Sequence, residues 1–101
     1  MYEGRLKEPV LDALFEAILT LKTEEECYLF FEDIATVGEM KSLAQRLAVA
    51  KMLATGETYT KISEETGAST ATISRVKRSL FYGYDGYRLV LERLGCQVEE
   101  E

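Results

Sequence analysis

Residues 59–81 read YTKISEETGASTATISRVKRSLF, and they decide what the 101-residue chain folds into. A short helix is predicted over residues 59–65, running out at Gly67. After Ala68, Ser69 can cap a second helix that continues from Thr70 to Leu80. Two helices joined by a tight glycine-containing turn are the layout of a helix-turn-helix. Each special position has a physical reason. Ile62 is expected to point into the angle between the helices, and Ser63 to be small because they approach closely there. Gly67 supplies the positive φ of the turn, and Ala68 is again small and inward. Ile73, Val76 and Leu80 recur at i, i+3 and i+7 and should pin the second helix to the body of the protein.

The opposite face of that second helix follows from a rotation of 100° per residue. It carries Ala71, Ser74, Arg75 and Arg78, flanked by Thr70, Thr72, Lys77 and Ser79, and no acid occurs from Ala68 to Tyr84. Small residues at the start of such a helix let it enter a major groove closely. Arginines further along can meet phosphates or guanine edges. The same pattern also fits a helical hairpin whose basic face is merely solvated, or one that makes only protein contacts.

The rest of the chain frames this segment. Its net charge is −6, which by itself argues against nucleic acid, but the charge is unevenly placed. Residues 1–40 carry three Lys/Arg and ten Asp/Glu, a net −7, and residues 41–88 carry eight against four, a net +4. Residues 89–101 carry one against four, a net −3. A basic middle between acidic ends is compatible with a local phosphate-binding face on a self-repelling body. With 47% hydrophobic residues and one proline, the chain is neither disordered nor of low complexity. No apolar run approaches a transmembrane helix and no signal-peptide pattern opens the sequence, so a cytoplasmic protein without membrane contact is expected. Cys27 and Cys96 match no metal spacing and fit a reduced compartment. Histidine is absent altogether, which removes the commonest general base and metal ligand. Ser63, Ser69 and Ser74 have no base to activate them, so no catalytic residue, metal site or enzyme activity is expected.

Helical signals dominate upstream. Pro9 suits a first helical turn. Over residues 10–21 the polar positions Asp12, Glu16 and Thr20 form one narrow stripe, and everything else is apolar. A helix apolar around most of its girth must be covered on several sides, and so short a chain has few elements for the task. Burial alone therefore predicts a second copy, a homodimer. Thr23 with Glu26 and Thr36 with Glu39 read as capping boxes that open a second and a third helix. Cys27 lies in the apolar second helix and is expected in its core. In the third, Met40, Leu43, Leu47, Ala50 and Leu53 keep a 3.6 period up to Gly56. The Glu24–Glu26 run is explained by the macrodipole of a helix start. Tyr82, Tyr84 and Tyr87, with Gly83 and Gly86, fit a hinged connection edged by packed tyrosines, with a base-stacking platform as the alternative. Residues 1–6 and the acidic tail after Gly95, which holds Cys96, are expected to be disordered.

Taken together, Thr36, Glu39, Leu43 and Arg46, the pair Gly56-Glu57, and residues 67–80 (GASTATISRVKRSL) make the chain resemble the Trp repressor superfamily, in its YerC/YecD-type branch. The resemblance covers most of residues 10–94. It implies an all-α fold of six helices with a helix-turn-helix and an intertwined homodimer. Residues 8–54 would form the dimerisation and core helices and 58–81 the helix-turn-helix. Residues 84–94 would form the last helix, with Tyr87, Val90, Leu91 and Leu94 as its apolar residues, and 95–101 an acidic tail.

For contact with double-stranded DNA the resemblance points to Lys61, Thr70, Ala71 and Ser74. With the face described above, the full candidate set is Lys61, Ser69, Thr70, Ala71, Thr72, Ser74, Arg75, Lys77 and Arg78. In tryptophan-dependent relatives the amino acid lies between the third helix and the recognition helix. Arg46 and Arg75 match the two arginines that bracket the indole, and Thr36, Thr72 and Ser79 match further pocket positions. The chain departs from that pattern where glycine should leave room for the ring, because Val76 stands there. Asp33 also replaces an apolar wall residue, and the region from Glu57 to Gly67 is one residue shorter. The expectation is a bacterial-type homodimeric transcriptional regulator that does not depend on tryptophan. It would need no cofactor, and the identity of any small-molecule corepressor stays open. The alternative is a helical protein-interaction module of the transcription machinery.

Overall fold

The structure, a computed structural model, describes residues 1–99; the last two glutamates of the acidic tail lie outside the described residues. Six helices follow one another: α1 (Pro9–Ile18), α2 (Glu24–Ile34), α3 (Val37–Ala54), α4 (Tyr59–Thr66), α5 (Thr70–Tyr82) and α6 (Gly86–Arg93), and no strand occurs among the described residues. They divide into two compact units, Met1–Val37 and Gly38–Glu101.

The first unit holds α1 and α2. The start of the chain, expected to be disordered, carries two local hydrogen bonds. The Lys7 amide donates to the Gly4 carbonyl at 3.2 Å, and the Leu6 amide donates to the Tyr2 hydroxyl at 3.2 Å. Pro9 then opens α1, which ends at Ile18 rather than running to Leu21. The Thr20 hydroxyl donates to the Ala17 carbonyl at 2.6 Å, competing with helix continuation, and the Leu21 amide closes a tight turn onto Ile18. Thr23 caps α2 by accepting from the Glu26 amide at 3.1 Å. The Glu26 carboxylate reaches back one residue further than a standard capping box, to the Lys22 amide at 2.9 Å. Neither α1 nor α2 contains a single buried residue. Val10, Leu19 and Tyr28 are each about three-quarters exposed or more, and Cys27 is an exposed free thiol rather than a core residue.

The second unit contains the core. Val49, Ala50, Leu53 and Ala54 from the carboxy-terminal half of α3 meet Ile62, Ala68, Ile73, Val76, Leu80 and Leu91. Each large member of this set contributes about 2 kcal/mol by leaving water. The period-3.6 stripe of α3 is thus split: Ala50 and Leu53 are buried, whereas Leu43 and Leu47 are exposed. Beyond α6 the chain turns back at Gly95. Cys96 and Val98 pack against the core, and the Glu99 amide donates to the Ala54 carbonyl at 3.0 Å, capping one of the orphan carbonyls of α3. Residues 95–99 are therefore a packed strap, not a disordered tail. The acidic composition that suggested disorder hides two apolar residues spaced to reach the core.

Candidate nucleic-acid interface

The recognition segment is built by local capping at every joint. Thr58 caps α4 by accepting from the Lys61 amide at 3.2 Å. At the other end Gly67 adopts φ 73°, and its amide donates to the Ser63 carbonyl at 2.9 Å. Thr66 stitches the turn: its hydroxyl donates to the Ile62 carbonyl at 2.7 Å and accepts from the Ala68 amide at 3.2 Å. The Gln45 side chain on α3 donates to the Thr66 carbonyl at 3.1 Å, anchoring the end of α4 to the long helix. Ile62 and Ala68 are buried as expected. Ser63 is not in the crossing but exposed, because it lies 100° around the helix from Ile62, the buried residue of α4.

Ser69 caps α5 by accepting from the Thr72 amide at 3.1 Å, while its own hydroxyl donates to the Thr72 hydroxyl oxygen at 3.1 Å. Ser69 is thereby committed to the helix start. Thr72, half-buried, keeps its hydroxyl proton as a donor. Ile73, Val76 and Leu80 are buried and carry the helix. Thr70, Ala71, Ser74, Arg75, Arg78 and Ser79 are exposed, and Lys77 is half-buried. Lys61, on α4, is exposed and pairs with Glu57 at 3.3 Å. Two contacts bind α4 to the outer side of α5. The Tyr59 hydroxyl lies 3.5 Å from the Ser74 hydroxyl, and the Lys77 ammonium sits 5.8 Å from the centre of the Tyr59 ring. Nothing in the sequence singled out Tyr59. Its meeting with residues 15 and 18 positions away depends on how two helices are set against each other.

The residues matched to a ligand pocket are placed as follows. Thr36 is exposed and immediately precedes α3. Arg46 is exposed and donates to the Ser42 hydroxyl at 3.3 Å. Val76 is 4% exposed, its side chain enclosed by the core. Burial pushes the Tyr87 phenol above its ordinary pKa, and the positive charge of Arg46 works against that shift. Tyr87 packs at the core edge, but Tyr82 and Tyr84 are about three-quarters exposed, so the connection is not edged by packed tyrosines throughout. No helix among the described residues is long and apolar enough to cross a membrane.

A buried apolar spine carrying an exposed, acid-free face, docked through a glycine turn onto a shorter helix, defines an all-α helix-turn-helix protein. Residues 10–95 match the family described as Trp repressor protein, and the chain belongs to that family of DNA-binding regulators. It is 60% identical over 94 residues to the uncharacterized protein YerC of Bacillus subtilis, covering 93% of this chain and 90% of that protein. Two solved structures share the fold. A candidate Trp repressor from Staphylococcus aureus is 56% identical with a TM-score of 0.88, over 94% of this chain and 95% of that one. A TrpR-like protein from Eubacterium eligens is 56% identical with a TM-score of 0.89, over 96% and 100% of the two chains. The YerC-type, six-helix, Trp-repressor-like architecture expected from the sequence is the one observed.

Proposed function

We propose that this chain is a sequence-specific, cytoplasmic DNA-binding transcriptional regulator, repressor-like in action, that works as a homodimer through its helix-turn-helix. The observation that carries the reading is the outer face of α5. Thr70, Ala71, Ser74, Arg75 and Arg78 are exposed together on a helix held by Ile73, Val76 and Leu80. Ala71 and Ser74 are short enough to approach base edges, with Thr70 and Thr72 beside them and Ser69 at the helix start. Arg75, Lys77, Arg78 and Lys61 supply the charge that meets phosphate. Homodimerisation is supported by the uncovered apolar surface of α1, α2 and the first half of α3. Val10, Phe15, Leu19, Leu29, Ile34, Leu43 and Leu47 are all exposed in one chain, and a second copy would bury them. A two-fold dimer places its recognition helices about 34 Å apart, in successive major grooves. Residues 8–54 would then serve dimerisation and core, 58–81 recognition, and 84–94 with the tail would close the fold.

The regulator acts without tryptophan, because the buried Val76 side chain occupies the place that the family's ligand pocket keeps open. Arg46, Thr72, Arg75 and Ser79 are left as residues from which a different corepressor site would be built.

Selection of bound duplexes from random sequence, repeated with and without amino acids, tests this directly. A regulator enriches one motif with two half-sites and loses affinity steeply as salt rises. The overall charge of −6 favours a second reading, a protein-interaction module without DNA specificity. That reading predicts no enrichment and no salt-sensitive binding.

A further inference from the structure

We propose that Tyr59 is a positioning residue for DNA recognition, which sets Ser74 as a hydrogen-bond donor towards the base it faces. The inference rests on the regulator reading above and deepens it. Tyr59 occupies the first position of α4, fixed by the Thr58 cap behind it and by packing of its half-buried ring against the core. From there it touches two residues of α5 that are three apart on the same side. Its hydroxyl lies 3.5 Å from the Ser74 oxygen, and its ring lies under the Lys77 ammonium at 5.8 Å. The first contact is longer than the roughly 2.5–3.0 Å of a formed O–H···O hydrogen bond and needs only a small side-chain rotation to close, and the second is within the range of a cation–π interaction.

The chemistry gives the contact a direction. A serine hydroxyl is one donor and an acceptor, so an unconstrained serine reads any base edge. A phenol O–H, its oxygen lone pairs drawn into the ring, is a better donor and a poorer acceptor than an aliphatic alcohol. Tyr59 therefore donates to Ser74, which uses the serine oxygen as acceptor and leaves the serine proton to point outward. With one of its two lone pairs engaged by Tyr59, Ser74 then favours an acceptor in the major groove, such as a purine N7 or the thymine O4, over the amino groups of cytosine and adenine. The ring beneath Lys77 limits the orientations of a long side chain, so less freedom is lost when its ammonium meets a phosphate.

The test uses the full chain and the duplex recovered by selection, beside a random-sequence duplex of the same length. Tyr59→Phe keeps the ring and removes only the hydroxyl; Ser74→Ala and the double variant complete a cycle. Tyr59→Phe is expected to weaken binding to the selected duplex by about five-fold. It should leave the random duplex and the salt slope unchanged, and a repeated selection should show a relaxed preference at the base pair facing Ser74. In the Ser74→Ala background the same change should have no further effect. Equal losses on both duplexes, additive losses across the cycle, or no loss at all would overturn the proposal while sparing the regulator reading. A wild-type chain that ignores both duplexes would overturn the regulator reading, and this inference with it. Melting of each variant checks that the fold is kept. Upfield-shifted Lys77 side-chain protons in free wild type and Tyr59→Phe, lost in Tyr59→Leu, check the ring contact without DNA, and their absence in wild type would count against the clamp.

Discussion

Replacing Val76 by glycine restores the residue that the tryptophan-binding pattern carries, and the structure fixes the cost. Val76 is 4% exposed and belongs to the core with Ile73 and Leu80. Withdrawing its isopropyl group forfeits about 2–3 kcal/mol of burial and packing. Glycine in the middle of α5 adds about 1 kcal/mol of helix cost. The expected loss is therefore about 3–4 kcal/mol, a large part of the stability of a small domain, and on the order of 15 °C in melting temperature. Urea unfolding at one fixed protein concentration measures it, since the stability of the proposed dimer would depend on concentration. The wild type should give no saturable heat on titration with tryptophan. In Val76→Gly, tryptophan that enters the vacated space at a hundred times its dissociation constant would return about 2.7 kcal/mol. A loss below about 1 kcal/mol on substitution would refute the packing argument, because a buried valine cannot be so cheap to remove. Micromolar tryptophan binding by the wild type would refute the claim that Val76 closes the pocket.

Further outcomes are open to measurement. Arg78→Ala should weaken binding to all duplexes alike and lower the salt slope by about one; a loss confined to one sequence would make Arg78 a base reader. Gly67→Ala should cost about 1–2 kcal/mol, because φ 73° is strained for a residue with a Cβ even though an added methyl would meet no atom within 4 Å; chemical denaturation measures it. A chain ending at Gly95 should lose about 2 kcal/mol, from the Glu99–Ala54 hydrogen bond and the contacts of Cys96 and Val98; an unchanged denaturation midpoint would show the strap to be idle. For pH, the raised pKa of Tyr87 means the folded chain holds that proton longer than the unfolded chain. Its contribution is complete below the unfolded pKa of about 10 and is lost as pH rises through the higher folded value. Stability should thus decline above about pH 10 and do so less in Tyr87→Phe, as followed by unfolding across alkaline buffers.

The helices and the recognition motif were legible in the chain because their signals are local. Caps at Thr23 and Ser69, the turn glycine at Gly67 and the spine Ile73, Val76 and Leu80 each act within one or two helical turns. A face set by a 100° rotation needs no knowledge of neighbours, and the exposed residues of α5 follow from it. The apolar girth of α1 was equally plain, and one chain leaves it uncovered, as the composition required. Other features are set by which element meets which, and no periodicity encodes that. Ser63 looked like a helix-crossing residue, yet it is exposed and Ile62 is the buried residue of α4. The tail looked disordered by charge, yet Val98 finds the core and the Glu99 amide finds an orphan carbonyl 45 residues away. Tyr59 looked like an ordinary first residue of a helix, and only the docking of α4 on α5 brings its hydroxyl and ring to Ser74 and Lys77. Local hydrogen bonding and side-chain period determine the elements; close approach between distant residues depends on packing, which tertiary structure alone decides.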